Sequence, residues 1–258
     1  MNLSFCQAIR DAMGAGKPFA MVTVVACRGS SPQKPGAKML VFADGRIHGT
    51  VGGGAIEHRI IADAREALTT GAARLHEYEL KDLNMMCGGH MDAYIEPVQV
   101  PWRVAVFGAG HVCRCLAPML ARLDFNVTVV DDRPEWADPA AFPEAVTVKC
   151  CSIEQAVKDF GEDVTGLSVL VMTRGHGLDY AALKPFAGRG VRYLGVMASR
   201  KKAVEMRDKL AADGFAPEAI SQVRMPIGIS IGSTTPEEIA VSIAAELISV
   251  RKGAASCG

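Results

Sequence analysis

The sequence predicts an α/β protein of two domains, with a parallel sheet covered by helices over residues 101–258 and a smaller N-terminal α+β domain over residues 1–100. Three observations predict it. From Trp102 onward, short runs rich in valine and leucine alternate with segments of helical periodicity, the rhythm of successive βαβ units. The first of these runs ends in Gly108-Ala109-Gly110, a turn that leads from a strand into a helix. Before it, Pro97-Val98-Gln99-Val100-Pro101 carries proline at both ends, which favours an extended connector. A chain of 258 residues is long enough for two cores.

In the first domain, residues 21–29 read as a strand. Residues 38–51 read as two strands around Asp44-Gly45, a dipeptide suited to the positive φ of a tight hairpin. A helix is predicted over residues 55–69, because Ile56, Ile60, Ala64 and Leu68 fall on one face. Short strands follow near residues 74–80 and 91–97.

In the second domain the predicted strands cover 103–110, 126–132, 145–150, 168–175 and 192–199, with helices over 111–123, 153–160, 180–188 and 201–213. Thr235-Pro236-Glu237-Glu238 then supplies a hydroxyl N-cap, proline at N1 and glutamate at N3, a capping box. Ile239, Ala240, Ile243, Ala244 and Leu247 make one apolar face behind it, so this last helix is structural. The whole is Rossmann-like. Gly108 and Gly110 let the backbone approach a phosphate, which the N–H groups and positive end of the next helix hold, and His111 adjoins that place. Asp131 and Asp132, about 20 residues on, stand where an acid binds ribose hydroxyls. Cys113 replaces the third glycine of the dinucleotide fingerprint, so NAD(P) is not expected there.

Composition narrows the function. With 28 basic and 28 acidic residues and no block of like charge, neither nucleic acid nor an anionic membrane is an expected partner. No stretch reaches the roughly 18 apolar residues of a membrane span, and the start lacks a secretory pattern, so the expected location is cytoplasmic. The eight cysteines form no Cys-x-x-Cys pair and read as reduced thiols, most of them small apolar fillers. Symmetry statistics favour a homodimer.

Three further segments point to ligand chemistry. Gly52-Gly53-Gly54 precedes a helix and follows a loop carrying Arg28, Lys34 and Lys38 without an acid, which suits an anion; Glu57 complements the helix dipole. Met86-Cys87-Gly88-Gly89-His90 places a thiol beside two glycines, where a ligand can approach sulfur and the neighbouring histidine can favour the thiolate. Arg174, His176 and Asp179 follow a predicted strand and so fall near the crevice at the carboxyl ends of the sheet.

Taken as a set, these segments resemble the XdhC/CoxI family of accessory proteins. The resemblance spans nearly the whole chain: Arg28-Gly-Ser30-Ser31-Pro through Gly36-Ala-Lys38, Gly49-Thr-Val-Gly-Gly-Gly-Ala-Ile-Glu57, Cys87-Gly-Gly before Ile95-Glu-Pro97, and the Rossmann turn. Pro226-Ile-Gly228 and the helix after Thr235 complete it. The chain departs from the family pattern at Cys113, where glycine is usual, and at Arg174, where histidine is more frequent.

The resemblance implies a carrier and not an enzyme. Such a protein binds the molybdenum cofactor and delivers it to an apo molybdenum hydroxylase such as xanthine dehydrogenase, after sulfuration with help from a cysteine desulfurase. On that reading Gly52, Gly53 and Gly54 with Arg28, Ser30, Ser31 and Lys38 take the phosphate. Cys87, with Gly88 and Gly89, lies at the metal end, Cys87 being the expected metal contact. Gly108, Gly110, His111, Asp131, Arg174 and His176 are the expected contacts of the second domain. The alternatives are an NAD(P)-dependent oxidoreductase and a purely structural scaffold for a hydroxylase.

Overall fold

The computed structural model describes residues 2–83, 88–98, 100–162, 164 and 166–253. The chain divides into two compact units, Met1–Val100 and Pro101–Gly258.

The first unit opens with α1 (Leu3–Gly14), which the sequence reading did not anticipate. Its signals are local: the Asn2 side chain caps it by accepting from the Phe5 N–H at 2.9 Å, and Phe5 and Ala12 are buried on one face. β1 (Phe19–Arg28), β2 (Lys38–Phe42) and β3 (Ile47–Gly49) follow, then α2 (Gly54–Thr70), β4 (Arg74–Glu79) and β5 (His90–Val98). The strands form one antiparallel sheet in the order β3-β2-β1-β5-β4. Ile56, Ile60 and Ala64 of α2 pack with Val22, Val24, Met39, Met91 and Ile95, while Phe5 packs with Phe19 and Leu40 in a second cluster.

The second unit runs β6 (Trp102–Phe107), α3 (His111–Arg122), β7 (Phe125–Asp131), β8 (Val146–Cys150), α4 (Ile153–Phe160), β9 (Leu167–Val171) and α5 (His176–Leu183). It continues with β10 (Tyr193–Val196), α6 (Arg200–Ala212), α7 (Pro217–Ser221), β11 (Val223–Arg224) and α8 (Pro236–Arg251). All its strand pairs are parallel, in the order β11-β10-β9-β6-β7-β8. Buried residues of α3 and α8 form one core with the sheet, and those of α4, α5 and α6 form the other, so helices cover both faces. This is a doubly wound Rossmann-like sheet, and its switch point lies between β6 and β9, where successive connections leave in opposite directions. Thr235 caps α8 in the expected capping box, accepting from Glu238 N–H at 3.3 Å.

The elements differ from the sequence reading in two places. α5 starts at His176, not near residue 180, because no hydroxyl or acid marks its first position; α7 and β11 were not anticipated. Cys113 is buried between α3 and the sheet, whereas Cys6 and Cys150 are exposed and so are not fillers. Among the described residues, no helix is long and apolar enough to cross a membrane.

Candidate functional site

In the first unit, three segments singled out by sequence converge. The Gly89 N–H donates to the Ser30 carbonyl at 3.1 Å, and a Cβ on Gly89 would lie 2.3 Å from that oxygen and 2.5 Å from the Arg28 carbonyl. A Cβ on Gly52 would lie 2.7 Å from Pro32 Cγ. The loop after β1, the turn before α2 and the start of β5 are therefore in van der Waals contact, which only glycine permits. Arg28 and Ser30 are exposed at this junction, as is Gly88, and the Ser31 hydroxyl donates to Cys27 Sγ at 3.4 Å. Cys87, the expected metal contact, lies outside the described residues.

The glycine turn is not an empty anion nest, which corrects the sequence reading. Glu57 reaches back from α2, and its carboxylate accepts from the Val51 N–H at 3.1 Å and from the Thr50 hydroxyl. Burial works against its charge, but hydrogen bonds from Thr50 and from the N–H groups of Gly53, Val51 and Gly52 outweigh this and hold the carboxyl below its usual range. A ligand phosphate there must displace an internal carboxylate. Beside it lies a groove of about 450 Å³ lined by Asn2, Phe5, Gln33, Lys38, His48 and Thr50. The Lys38 ammonium donates to Thr23 Oγ1 at 2.7 Å and keeps further donors, since an ammonium has three.

His90 is held between two carboxylates and not freely available to a neighbouring thiol. Its Nδ1 lies 2.9 Å from Glu79 Oε1 and its Nε2 2.5 Å from Asp92 Oδ1. Hydrogen bonds donated by its ring to both carboxylates, Glu79 first, raise its pKa above the ordinary 6.5 and favour the imidazolium. A raised folded value means the stabilising contribution is fully present below the unfolded pKa and is lost as pH rises through the folded one. His90→Gln is therefore expected to lower the urea midpoint most below pH 6.5, with the gap from the parent protein narrowing as pH rises. A gap that widens toward alkaline pH contradicts this.

In the second unit, the carboxyl ends of the strands enclose a crevice of about 90 Å³ lined by Gly108, Asp131, Asp132, Cys151, Thr173 and Arg174. Arg174 spans it, pairing with Asp132 at 2.6 and 3.1 Å. Asp131 is not free for a ribose, a second correction. Its Oδ2 accepts from the Ala109 N–H at 2.9 Å and from Arg133 Nη2 at 2.8 Å, and its Oδ1 from Arg133 Nε at 2.8 Å. Burial disfavours the charge, but these bonds prevail and keep the carboxyl below the usual range. Gly108 has φ +110°, and a Cβ there would meet the Met172 carbonyl, so this glycine serves the close approach of β6 to β9. Gly110 faces open space.

His111 and His176 are exposed and do not line the crevice; His111 stands edge-on to Trp136 with ring centroids 5.2 Å apart. Asp179 is buried, which corrects its placement at the rim. It accepts from the N–H and hydroxyl of Thr173 at 2.9 and 2.7 Å and pairs with Lys202.

Comparison with known proteins now adds to this geometry. A family model described as the XdhC Rossmann domain matches residues 104–247, and one described as the XdhC and CoxI family matches residues 12–79. The chain belongs to the XdhC and CoxI family. It is 34% identical over 246 residues to the uncharacterized protein YqeB of Escherichia coli K12, covering 92% of this chain and 44% of that protein. It is 30% identical over 159 residues to a probable xanthine dehydrogenase subunit from Bacillus subtilis, covering 62% and 46%. The chain thus spans less than half the length of these two relatives. The molybdenum cofactor insertion chaperone PaoD of E. coli K12 is 23% identical over 295 residues, covering 93% of this chain and 86% of that one. A crystal structure titled as a xanthine dehydrogenase from Bacillus halodurans shares the fold, with a TM-score of 0.50 and 21% identity over 98% and 97% of the two chains.

Within this XdhC chain, the Pro226-Ile-Gly228 segment is a packing device. The Gly228 N–H and the Tyr193 hydroxyl both donate to the buried Glu246 carboxylate, at 2.6 and 2.7 Å, and a Cβ on Gly228 would lie 2.4 Å from Ser242 Oγ. Sequence reasoning missed Asn2 and His48 in the groove, and Arg133 and Cys151 at the crevice. Only the Asp131-Asp132-Arg133 run after the second strand carried a readable signal, two acids followed at once by their counter-ion.

Proposed function

We propose that this chain holds the molybdenum cofactor and delivers it, after sulfuration by a cysteine desulfurase, to an apo molybdenum hydroxylase of the xanthine dehydrogenase type, as a carrier in the cytoplasm that works as a homodimer. The observation that carries the reading is the convergence of residues 28–32, 52–54 and 88–89 beside the groove of the first unit. The kinship with PaoD over most of both chains supports it.

The residues present fit such a cargo. Molybdopterin combines a phosphate, a polar bicyclic pterin and a dithiolene. A groove of about 450 Å³ with an ammonium, amide side chains and an imidazole offers matching volume and donors. Lys38 and the exposed Arg28 would neutralise the phosphate, with Ser30 and Ser31 beside them. Asn2 and Gln33 would hold the pterin edge, and Cys87 next to Gly88 and Gly89 would meet the metal end, since a thiolate is a soft ligand. The cofactor itself supplies the metal and its ligand exchange. The protein excludes water and holds the charged groups. The nicotinamide reading is weakened by the engaged Asp131 and the small crevice.

The test is to purify the protein from a molybdopterin-producing host, denature it and measure oxidised pterin fluorescence. Bound pterin is expected from the parent protein, with a marked loss from folded Cys87→Ala. A parent preparation without pterin rules out the carrier, and unchanged pterin in the variant removes Cys87 from the site.

A further inference from the structure

A second cavity in the Rossmann-like unit belongs to none of the sites above. It lies at the amino end of β10, opposite the crevice, and has a volume of about 490 Å³. Arg192, Tyr193, Ser221, Gln222 and Arg224 line it, and no acidic residue does among the described residues. Neither guanidinium makes an ion pair or a side-chain hydrogen bond with a described residue. Arg133, Arg174, Arg189 and Arg207, by contrast, all donate to oxygen. Arg192 is stacked over Trp102 at 4.5 Å and, like Arg224, is exposed. Glu246, which Tyr193 reaches, is already occupied by the Tyr193 hydroxyl and the Gly228 N–H. Two guanidinium forks with unused donors, facing one cavity that no described acid lines, suit the oxygens of a phosphate.

We propose that this cavity binds a small phosphorylated molecule, with Arg192 and Arg224 holding its phosphate and Ser221 and Gln222 adding neutral hydrogen bonds. The volume admits more than a bare phosphate, within the ~300–1,000 Å³ usual for small-ligand sites.

Inorganic pyrophosphate is the probe, followed by isothermal titration and by Trp102 fluorescence in a Trp136→Phe background, against sodium chloride at equal ionic strength. Saturable binding with a change in Trp102 emission is expected, weakened roughly tenfold in R224Q and again in R192Q. Both arginines are exposed, and Arg224 does not pack on Trp102, so R224Q keeps the fold and carries the test even where R192Q disturbs the Trp102 contact. Heat no greater than the chloride control, or binding unchanged in R224Q, overturns the proposal.

Discussion

Lys202→Met is expected to destabilise the protein by about 3–5 kcal/mol, the range seen when one partner of a buried pair is removed. Asp179 has a side chain 1% exposed, and Lys202 one 12% exposed, so the carboxylate left behind cannot recover its hydration by moving. The hydrogen bonds from Thr173 remain, which is why collapse of the whole fold is not expected. The pair stitches the start of α5 to α6, so the loss should first appear as faster amide exchange in residues 173–183. Urea denaturation gives the magnitude. Asp179→Asn combined with Lys202→Met should recover much of it, because no unpaired charge then stays buried. A single-variant loss under about 1 kcal/mol would show that the pair behaves as a surface contact.

Gly108→Ala carries the second large effect. The new Cβ would sit 2.3 Å from the Met172 carbonyl oxygen and 2.7 Å from its carbon, in a backbone held at φ +110°. Strain and overpacking of this kind each cost of order 1–3 kcal/mol, and both fall on the junction of β6 with β9. A loss of roughly 3 kcal/mol or more is expected by chemical denaturation. Gly110→Ala gives the contrast. At φ −66° and with nothing within 4 Å of its Cβ position, it should lose no more than about 1 kcal/mol, the difference between glycine and alanine as N-cap. If the two variants lose equally, the close approach of the strands is not what requires glycine at 108.

The two glycines show how far the sequence could be read. Both fit one phosphate-binding pattern, yet one faces a neighbouring strand and the other open space. The same division runs through the candidate site. Cations and glycines around residues 28–38 and 52–54 suggested an anion site, but Glu57 filling that turn was not legible, because it depends on the rotamer of one side chain. Asp131 stood where a ribose acid belongs, and the adjacent Arg133 and Ala109 N–H took it. The helix at Leu3–Gly14 was legible in principle through Asn2, Phe5 and Ala12.

Features that depend on neighbours within a few residues were written in the chain itself. They are the capping box of α8, the Asp44-Gly45 hairpin, the buried face of α2 and the βαβ rhythm that makes a Rossmann-like sheet. Which polar groups stay free was settled only by long-range packing. Asp179 meets Lys202, Tyr193 meets Glu246 and Gly89 meets Ser30 across 23, 53 and 59 residues of chain, separations at which local propensity carries no information. A polar side chain becomes a ligand group only when folding leaves it without an internal partner, and that balance is set by packing.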